Sequence, residues 1–260
     1  MIPYYDFDKY FPKLGPLQIH MFGIMVATAI IVGARLTHRR ARELGLDDGK
    51  VASMITFILI TGFIFAHLFQ VATYRDLSEV TLWQVVNPFA GISSYGGFIG
   101  AVGGLFYWCK KEKQPVMPYA DSLAYGLATG WLFGRLGCFS AHDHPGHRTD
   151  FWLAVQYPGG ARHDLGLDEA IWSLGVTMLF QIISRVGKQP RPLGLYLSLL
   201  VVLYAPVRFC FDYLRATDMA GSDPRYLTLT PAQWVSIVTM AAGIVIVRWT
   251  IANTRRAETA

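Results

Sequence analysis

Long runs of apolar residues dominate the sequence, and short polar connections that carry most of the charge separate them. An α-helix needs about 20 such residues to cross roughly 30 Å of hydrocarbon. Seven stretches fit: Leu17–Leu36, Val51–Ala72, Ile92–Cys109, Pro118–Phe139, Leu167–Ser184, Leu193–Asp212 and Pro231–Ile251. The pattern predicts an all-α fold, a polytopic membrane protein with seven transmembrane helices.

Composition agrees with this pattern. Apolar side chains make up 53% of the 260 residues and charged ones only 16%, which soluble domains rarely show. We expect a single transmembrane domain over residues 1–260, with an outer-face loop region at about residues 141–166. Cys109, Cys138 and Cys210 lie in or beside apolar stretches, so we interpret them as small buried hydrophobic residues rather than as a disulfide framework.

The basic residues are distributed unevenly over the connections. One set of connections, which includes the C-terminal end, holds about twice as many lysines and arginines as the other. The positive-inside rule therefore predicts a cytoplasmic C-terminus and an N-terminus that faces outward. Topology and anionic membrane lipid account for the net charge of +5, so no nucleic acid partner is expected.

Two arginines, Arg135 and Arg208, fall inside predicted spans rather than in connections. An arginine at membrane depth costs several kcal/mol unless it is paired or hydrated, and such residues are functional candidates. The alternative is a purely structural ion pair.

Three separate segments are expected at the outer ends of their helices. The first, Ser93–Gly100, places Gly96 and Gly97 directly after Tyr95, so its backbone can approach a ligand closely. Close packing between membrane helices is the alternative role for these glycines.

The second segment contains Arg135 between Gly134 and Gly137 and continues into a histidine-rich stretch. His142, His144 and His147 flank Asp143 just beyond the helix. Imidazole and carboxylate suit Zn²⁺, so a metal site is one possibility, although Pro145 and Gly146 break any helix that would align the last two histidines. The other interpretation is that these are loop histidines without a specific function.

The third segment spaces Arg208, Asp212 and Arg215 at i,i+4 and i,i+3, which places them on one helix face. Asp212 can then orient a guanidinium that keeps donors for a second acceptor, such as a lipid phosphate. The alternative is that these three side chains form ion pairs only with one another and bind no ligand. Asp168 and Glu169 open the fifth span at the same depth.

Taken together and in this order, the segments resemble those of the prolipoprotein diacylglyceryl transferase family over nearly the whole chain. Ser93–Gly100 resembles the family's His-Gly-Gly segment, and Gly134–Gly137 with Gly146 resembles its signature. Further likenesses are Tyr157–Gly160, His163 with Glu169, the Arg208, Asp212 and Arg215 triplet, and Leu229–Trp234.

The resemblance implies a seven-helix enzyme of the bacterial inner membrane that needs neither a cofactor nor a metal. Its substrates would be phosphatidylglycerol, a membrane lipid, and a preprolipoprotein with its signal peptide. The diacylglyceryl group passes to the lipobox cysteine thiol, and glycerol phosphate leaves. Arg135 and Arg208 would be its catalytic arginines, because fixed guanidinium charges neutralise a departing phosphate in low dielectric.

The remaining site residues follow from the same likeness. Tyr95 and His142 are the further catalytic candidates. The predicted substrate-binding residues are Gly96, Gly97, Gly134, Gly137, Asp143, His163, Glu169, Asp212 and Arg215.

The sequence also departs from the family pattern. Tyr95 replaces a histidine proposed as the base, Cys138 and Ala141 replace asparagines, Asp143 replaces a glutamate and Phe22 replaces a tyrosine. A tyrosine with an ordinary pKa near 10 is a poor base at neutral pH. Either His142, His144, His147 or His163 serves as the base in place of the missing histidine, or the group is transferred to a different nucleophile.

Two other functions stay open from the sequence. One is a non-catalytic lipid-binding or lipoprotein-handling membrane protein. The other is a metal-dependent membrane hydrolase that would use His142, Asp143, His144 and His147.

Overall fold

The computed structural model describes residues 1–259 except 12, 15–16, 75–80, 82, 84, 86–90, 188–190 and 220–224. Within this part of the chain there are seven α-helices. They are α1 (Met21–Glu43), α2 (Asp48–Tyr74), α3 (Ser94–Lys111), α4 (Val116–Ala141), α5 (Leu165–Arg185), α6 (Leu195–Phe211) and α7 (Pro231–Thr259).

Five of the described helices are long and apolar enough to cross a membrane, namely α1, α2, α5, α6 and α7. The chain is therefore a largely helical, multi-pass membrane protein. For α3 and α4 a membrane-spanning role stays a prediction, as does the orientation of the termini. Arg75 and Lys188, which entered the charge comparison, lie outside the described residues.

Some predicted boundaries were wrong. The first helix begins at Met21 rather than at Leu17, because Leu17 and Gln18 pair with Lys13 and Leu14 in a short antiparallel ladder. It continues to Glu43, since Arg35 to Glu43 are mostly good helix formers. The expectation that every cysteine is buried holds for Cys109, whereas Cys138 is half-buried and Cys210 is exposed on α6.

The chain divides into two compact units, Met1–Arg40 with Asp121–Ala260, and Ala41–Ala120. In the first unit Tyr125, Phe180 and Tyr196 form an aromatic core between α4, α5 and α6. Helices α1 and α4 cross at small residues: a Cβ on Gly126 would lie 2.3 Å from the carbonyl oxygen of Gly33. Small residues allow such close approach between membrane helices.

A buried ion pair joins three helices of the same unit. Arg40 donates from Nε and Nη2 to Asp121 Oδ2 at 3.0 and 2.8 Å, and both side chains have no exposed surface. The other carboxylate oxygen of Asp121 accepts from the backbone of Leu197. Arg40 is thus a structural residue of this unit.

The segment between α4 and α5, where the pattern predicted only a loop region, forms three strands of a four-stranded sheet that an N-terminal strand completes. Its strands are β1 (Ile2–Pro3), β4 (Pro145–Arg148), β5 (Val155–Tyr157) and β6 (Gly160–Asp164), in the order β1-β5-β6-β4. Strands β2 (Lys13–Leu14) and β3 (Leu17–Gln18) form the separate ladder. The hairpin from β5 to β6 leads directly into α5, whose first turn Asp164 caps by accepting from the Leu167 amide.

In the second unit α2 and α3 pack along a row of glycines. A Cβ on Gly96 would lie 2.3 Å from Phe65 O, one on Gly100 2.6 Å from Thr61 O, and one on Gly104 2.2 Å from Thr61 Oγ1. The packing alternative therefore holds for Gly96. Gly97 is less restricted, with its nearest neighbour, Ala66 Cβ, at 3.6 Å.

Candidate functional site

Glu169 binds both arginines that the sequence placed inside predicted spans. Arg135 Nε lies 2.9 Å from Glu169 Oε2, and Arg208 Nη1 donates to Glu169 Oε1 at 2.6 Å. The two arginine side chains are 11% exposed and that of Glu169 only 2%. Each carboxylate oxygen thus faces a different guanidinium, so the two cations are brought together although they lie on different helices, α4 and α6.

Asp212 extends this cluster on α6 as the sequence spacing predicted. Arg208 Nη2 and Arg215 Nε lie 3.1 and 3.3 Å from Asp212 Oδ1. Asp212 is fully buried, and its Oδ2 accepts a hydrogen bond from the hydroxyl of Thr230, in the residue before α7. Asp212 therefore fixes the end of α6 against the start of α7.

The cluster carries an excess of positive charge. Three guanidinium groups, from Arg135, Arg208 and Arg215, face two carboxylates, from Glu169 and Asp212, so one positive charge is left over. A balanced structural ion pair would leave none. The surplus suits an anionic group, and a guanidinium binds phosphate oxygens in a bidentate geometry.

Tyr204 also belongs to the cluster, although the sequence argument missed it. Its hydroxyl donates to Glu169 Oε2 at 3.2 Å. Its ring packs edge-on against Trp131 at 5.0 Å, and Trp131 lies under the Arg135 guanidinium at 5.1 Å. The available signal was spacing, since Tyr204 precedes Arg208 by one helical turn.

His142 sits in a closed aromatic cluster. Its Nδ1 lies 2.7 Å from Asp164 Oδ2 and its Nε2 lies 3.2 Å from the carbonyl oxygen of Tyr5. The ring stacks on Tyr4 at 4.3 Å. Asp164 also accepts from Tyr157, and burial together with this carboxylate raises the pKa of the Tyr157 hydroxyl. Both nitrogens of His142 are engaged, which fits positioning better than proton transfer.

His163 has a different environment. Its Nδ1 lies 3.2 Å from Asp168 Oδ2, and the two side chains are 17% and 11% exposed. Asp168 is adjacent in sequence to Glu169 in the first turn of α5. A carboxylate on Nδ1 fixes the tautomer of a histidine and leaves Nε2 as the proton acceptor.

The residues that the sequence suggested as metal ligands are not the same as those that the fold brings close together. In the part of the chain that the structure describes, possible ligand atoms of Cys138, Asp143 and His144 lie within 4.8 Å of one another. His142 is instead bound to Asp164. The hydrolase alternative that combined His142 with His147 thus has no geometric support among the described residues.

The two signature glycines of α4 differ in their surroundings. A Cβ on Gly137 would lie 3.2 Å from the ring of Phe22 and from Met25 Cβ, so this glycine allows α1 to approach α4. A Cβ on Gly134 would meet nothing within 4 Å. Gly134 therefore borders open space one residue before Arg135.

An open groove of about 660 Å³ follows the start of α1. Apolar residues form most of its lining, and Asp8, His20 and Asp143 add polar groups. Asp8 binds the ring of His20 at 2.6 Å and accepts from the amide of Met21 at 2.8 Å, which fixes the first turn of the helix.

Tyr95, Gly96 and Gly97 belong to the second compact unit, in the first turn of α3. The arginine cluster and the predicted residues His142, Asp143 and His163 belong to the first. The role of Tyr95 stays a prediction.

Comparison with known proteins gives a family. The family model described as prolipoprotein diacylglyceryl transferase matches residues 9–249. A protein of Chromohalobacter salexigens is 27% identical over 256 residues, which cover 96% of this chain and 94% of the relative. One of Oleidesulfovibrio alaskensis is 25% identical over 266 residues, which cover 99% and 98%.

A third relative, from Synechococcus elongatus, is 27% identical over 257 residues that cover 91% of this chain and 85% of that protein. All three bear the name phosphatidylglycerol–prolipoprotein diacylglyceryl transferase. The family model covers far more than half of the chain, and the chain therefore belongs to the prolipoprotein diacylglyceryl transferase family.

Proposed function

We propose that this protein is a transferase that moves the diacylglyceryl group of phosphatidylglycerol to the lipobox cysteine thiol of a preprolipoprotein. It acts as a single transmembrane domain in the bacterial inner membrane, with seven spans, an outer N-terminus and a cytoplasmic C-terminus. The family, the names of the relatives and the apolar helices support this proposal.

The observation that carries it is the bridge from Arg135 through Glu169 to Arg208. A guanidinium has five N–H donors, so contact with one carboxylate leaves others for a phosphate. The bridge holds both cations in position before substrate arrives, which avoids reorganisation during the reaction. Asp212 and Arg215 support the position of Arg208 from the other side.

The chemistry is a displacement at carbon. The acceptor sulfur forms a bond to the terminal glycerol carbon of the diacylglyceryl group, and the bond from that carbon to the phosphate oxygen breaks. Glycerol phosphate leaves with the electron pair of the broken bond. Arg135 and Arg208 neutralise the charge that develops on the phosphate.

The thiol proton needs an acceptor, because only the thiolate is a good nucleophile. We assign this role to His163, which Asp168 orients at 3.2 Å. His142 is engaged at both ring nitrogens, whereas the Asp168 partner of His163 directly precedes Glu169, which binds both arginines. The proton passes to Nε2 of His163, and Asp168 stabilises the imidazolium that forms.

The groove beside α1 supplies a place for apolar parts of the substrates. Its lining of Ile19, Phe22, Ile24 and Ala27 suits acyl chains or an apolar peptide segment. Asp143 lies at this groove and only five residues after Cys138, whose sulfur is 3.8 Å from Arg135 Nη1. This relation supports an approach of substrate towards Arg135 from the groove.

The experiment is incubation of the purified protein with phosphatidylglycerol and a lipobox peptide, followed by mass spectrometry. We expect the peptide to gain one diacylglyceryl group and the matched Cys→Ser peptide to gain none. If the lipid is consumed only with another nucleophile, phosphatidylglycerol remains the donor in the proposal, and that nucleophile replaces the lipobox thiol as the acceptor. Binding of lipid without consumption under any acceptor would favour the non-catalytic lipid-binding function.

A further inference from the structure

The last turn of α4 and the residues that follow it bring together three metal-ligand types. Cys138 offers a sulfur, Asp143 a carboxylate oxygen and His144 a ring nitrogen, and these atoms lie within 4.8 Å of one another. We propose that Cys138, Asp143 and His144 bind one Zn²⁺ ion beside the arginine cluster.

The backbone holds the three residues in this arrangement. His142 adopts a positive φ of 49°, which ends the helix and turns the chain. The carbonyl oxygen of His144 then accepts from the Leu165 amide at 3.0 Å, and that of Pro145 accepts from the Ala216 amide at 3.2 Å. The turn is thus fixed between the end of α4 and the start of β4.

The donor set suits zinc. Thiolate, imidazole and carboxylate are the three ligand types of protein zinc sites, at about 2.0–2.3 Å from the ion. Such bond lengths place tetrahedral ligand atoms roughly 3.3–3.8 Å apart, so the side chains must shift by about 1 Å to bind the ion. The hydrogen bond of 2.5 Å between Asp143 Oδ1 and His144 Nδ1 would be exchanged for bonds to the ion.

The site is accessible. The side chains of His144 and Asp143 are 22% and 41% exposed, and Asp143 lines the open groove beside α1. Three protein ligands leave a fourth position for water. Binding releases the thiol proton of Cys138, so affinity rises with pH.

Among the three ligands, the thiolate of Cys138 favours zinc over harder ions such as Mg²⁺ and Ca²⁺. The proposal does not depend on the transferase reaction.

The test uses the full chain in detergent, freed of metal with a chelator and titrated with Co²⁺ and then with Zn²⁺, without lipid. Co²⁺ bound to a thiolate gives a charge-transfer absorption that reports on cysteine ligation directly. We expect one equivalent to bind, with this absorption, and Zn²⁺ to displace it.

Cys138→Ser should abolish the absorption and weaken Zn²⁺ binding at least about tenfold, and His144→Asn should weaken binding while the absorption persists at saturation. Cys210→Ser is the matched control, because it removes an exposed thiol outside the site. Its titration should equal that of the unchanged protein. Metal-free melting temperatures show whether each variant is folded.

An unchanged Cys138→Ser titration would overturn the proposal, as would the absence of one-equivalent binding in the unchanged protein. Loss of the absorption in Cys210→Ser would place the ion elsewhere and would overturn it as well. None of these results tests lipid transfer, so failure of the zinc proposal would leave the proposed function unaffected.

Discussion

Arg208 Nη1 donates to Glu169 Oε1 at 2.6 Å, and the other oxygen of the same carboxylate faces Arg135. One acidic side chain therefore sets the positions of two cations that lie 73 residues apart in sequence. In the proposed function this pair of cations is the phosphate site, and Glu169 is as important to it as the arginines.

Glu169→Gln should reduce transfer activity at least about 100-fold, because the amide cannot hold two guanidinium groups through charge. The melting temperature should fall as well, because two nearly buried guanidinium groups lose their shared carboxylate, although glutamine keeps the size and part of the hydrogen bonding. Turnover at saturating lipid, with the melting temperature of the same sample, checks this. Activity within about threefold of the unchanged protein would show that the bridge is not part of the site.

Tyr204→Phe removes the hydroxyl that donates to Glu169 Oε2 and leaves the ring against Trp131. We expect a smaller loss, about three- to tenfold in turnover, because both guanidinium groups still hold Glu169 when this one donor, which contributes about 1 kcal/mol, is lost. Steady-state kinetics with the lipobox peptide measure it. A loss as large as that of Glu169→Gln would instead assign Tyr204 a direct part in the reaction.

His163→Asn and His142→Asn separate the two roles that we assign to histidines. His163→Asn should lower turnover at least about 100-fold and remove the acid limb of the pH–rate profile, because the general base is lost. His142→Asn should mainly lower thermal stability, because it breaks the contact with Asp164 inside the aromatic cluster. The reverse outcome would make His142 the base and contradict the assignment of His163.

Asp121→Asn tests the buried pair with Arg40. Removal of one partner leaves an uncompensated charge, so the free energy of unfolding should fall by about 3–5 kcal/mol. The matched control is Asp48→Asn, which breaks the exposed pair with Arg42 and should cost less than about 1 kcal/mol. Reversible denaturant unfolding in mixed micelles compares them. Equal losses of unfolding free energy in the two variants would show that the buried pair contributes no more to stability than the exposed pair.

The sequence predicted the helices and the arginines for clear physical reasons. Length and apolar composition are enough to predict membrane spans. Arg135 and Arg208 were identified as candidates because they lie within predicted spans and not in the connections that hold the other basic residues. The ladder of Arg208, Asp212 and Arg215 followed from helical spacing and is present.

Other features could not be read from local pattern. The pair of Arg40 with Asp121 joins residues 81 positions apart, and His142 meets Asp164 and Tyr5 only because the N-terminal segment and the strands after α4 form one sheet. Short strands such as Ile2–Pro3 and Val155–Tyr157 are too brief for a recognisable period. Such contacts depend on tertiary placement.

The central claim is that Arg135 and Arg208 together neutralise the departing phosphate. It is tested most directly by release of glycerol phosphate from head-group-labelled phosphatidylglycerol in a single turnover with the lipobox peptide. Arg135→Lys and Arg208→Lys should each slow release at least about 100-fold, because lysine lacks the bidentate fork, while the exposed Arg42→Lys control keeps the full rate. Full-rate release by either of the first two variants would contradict the account.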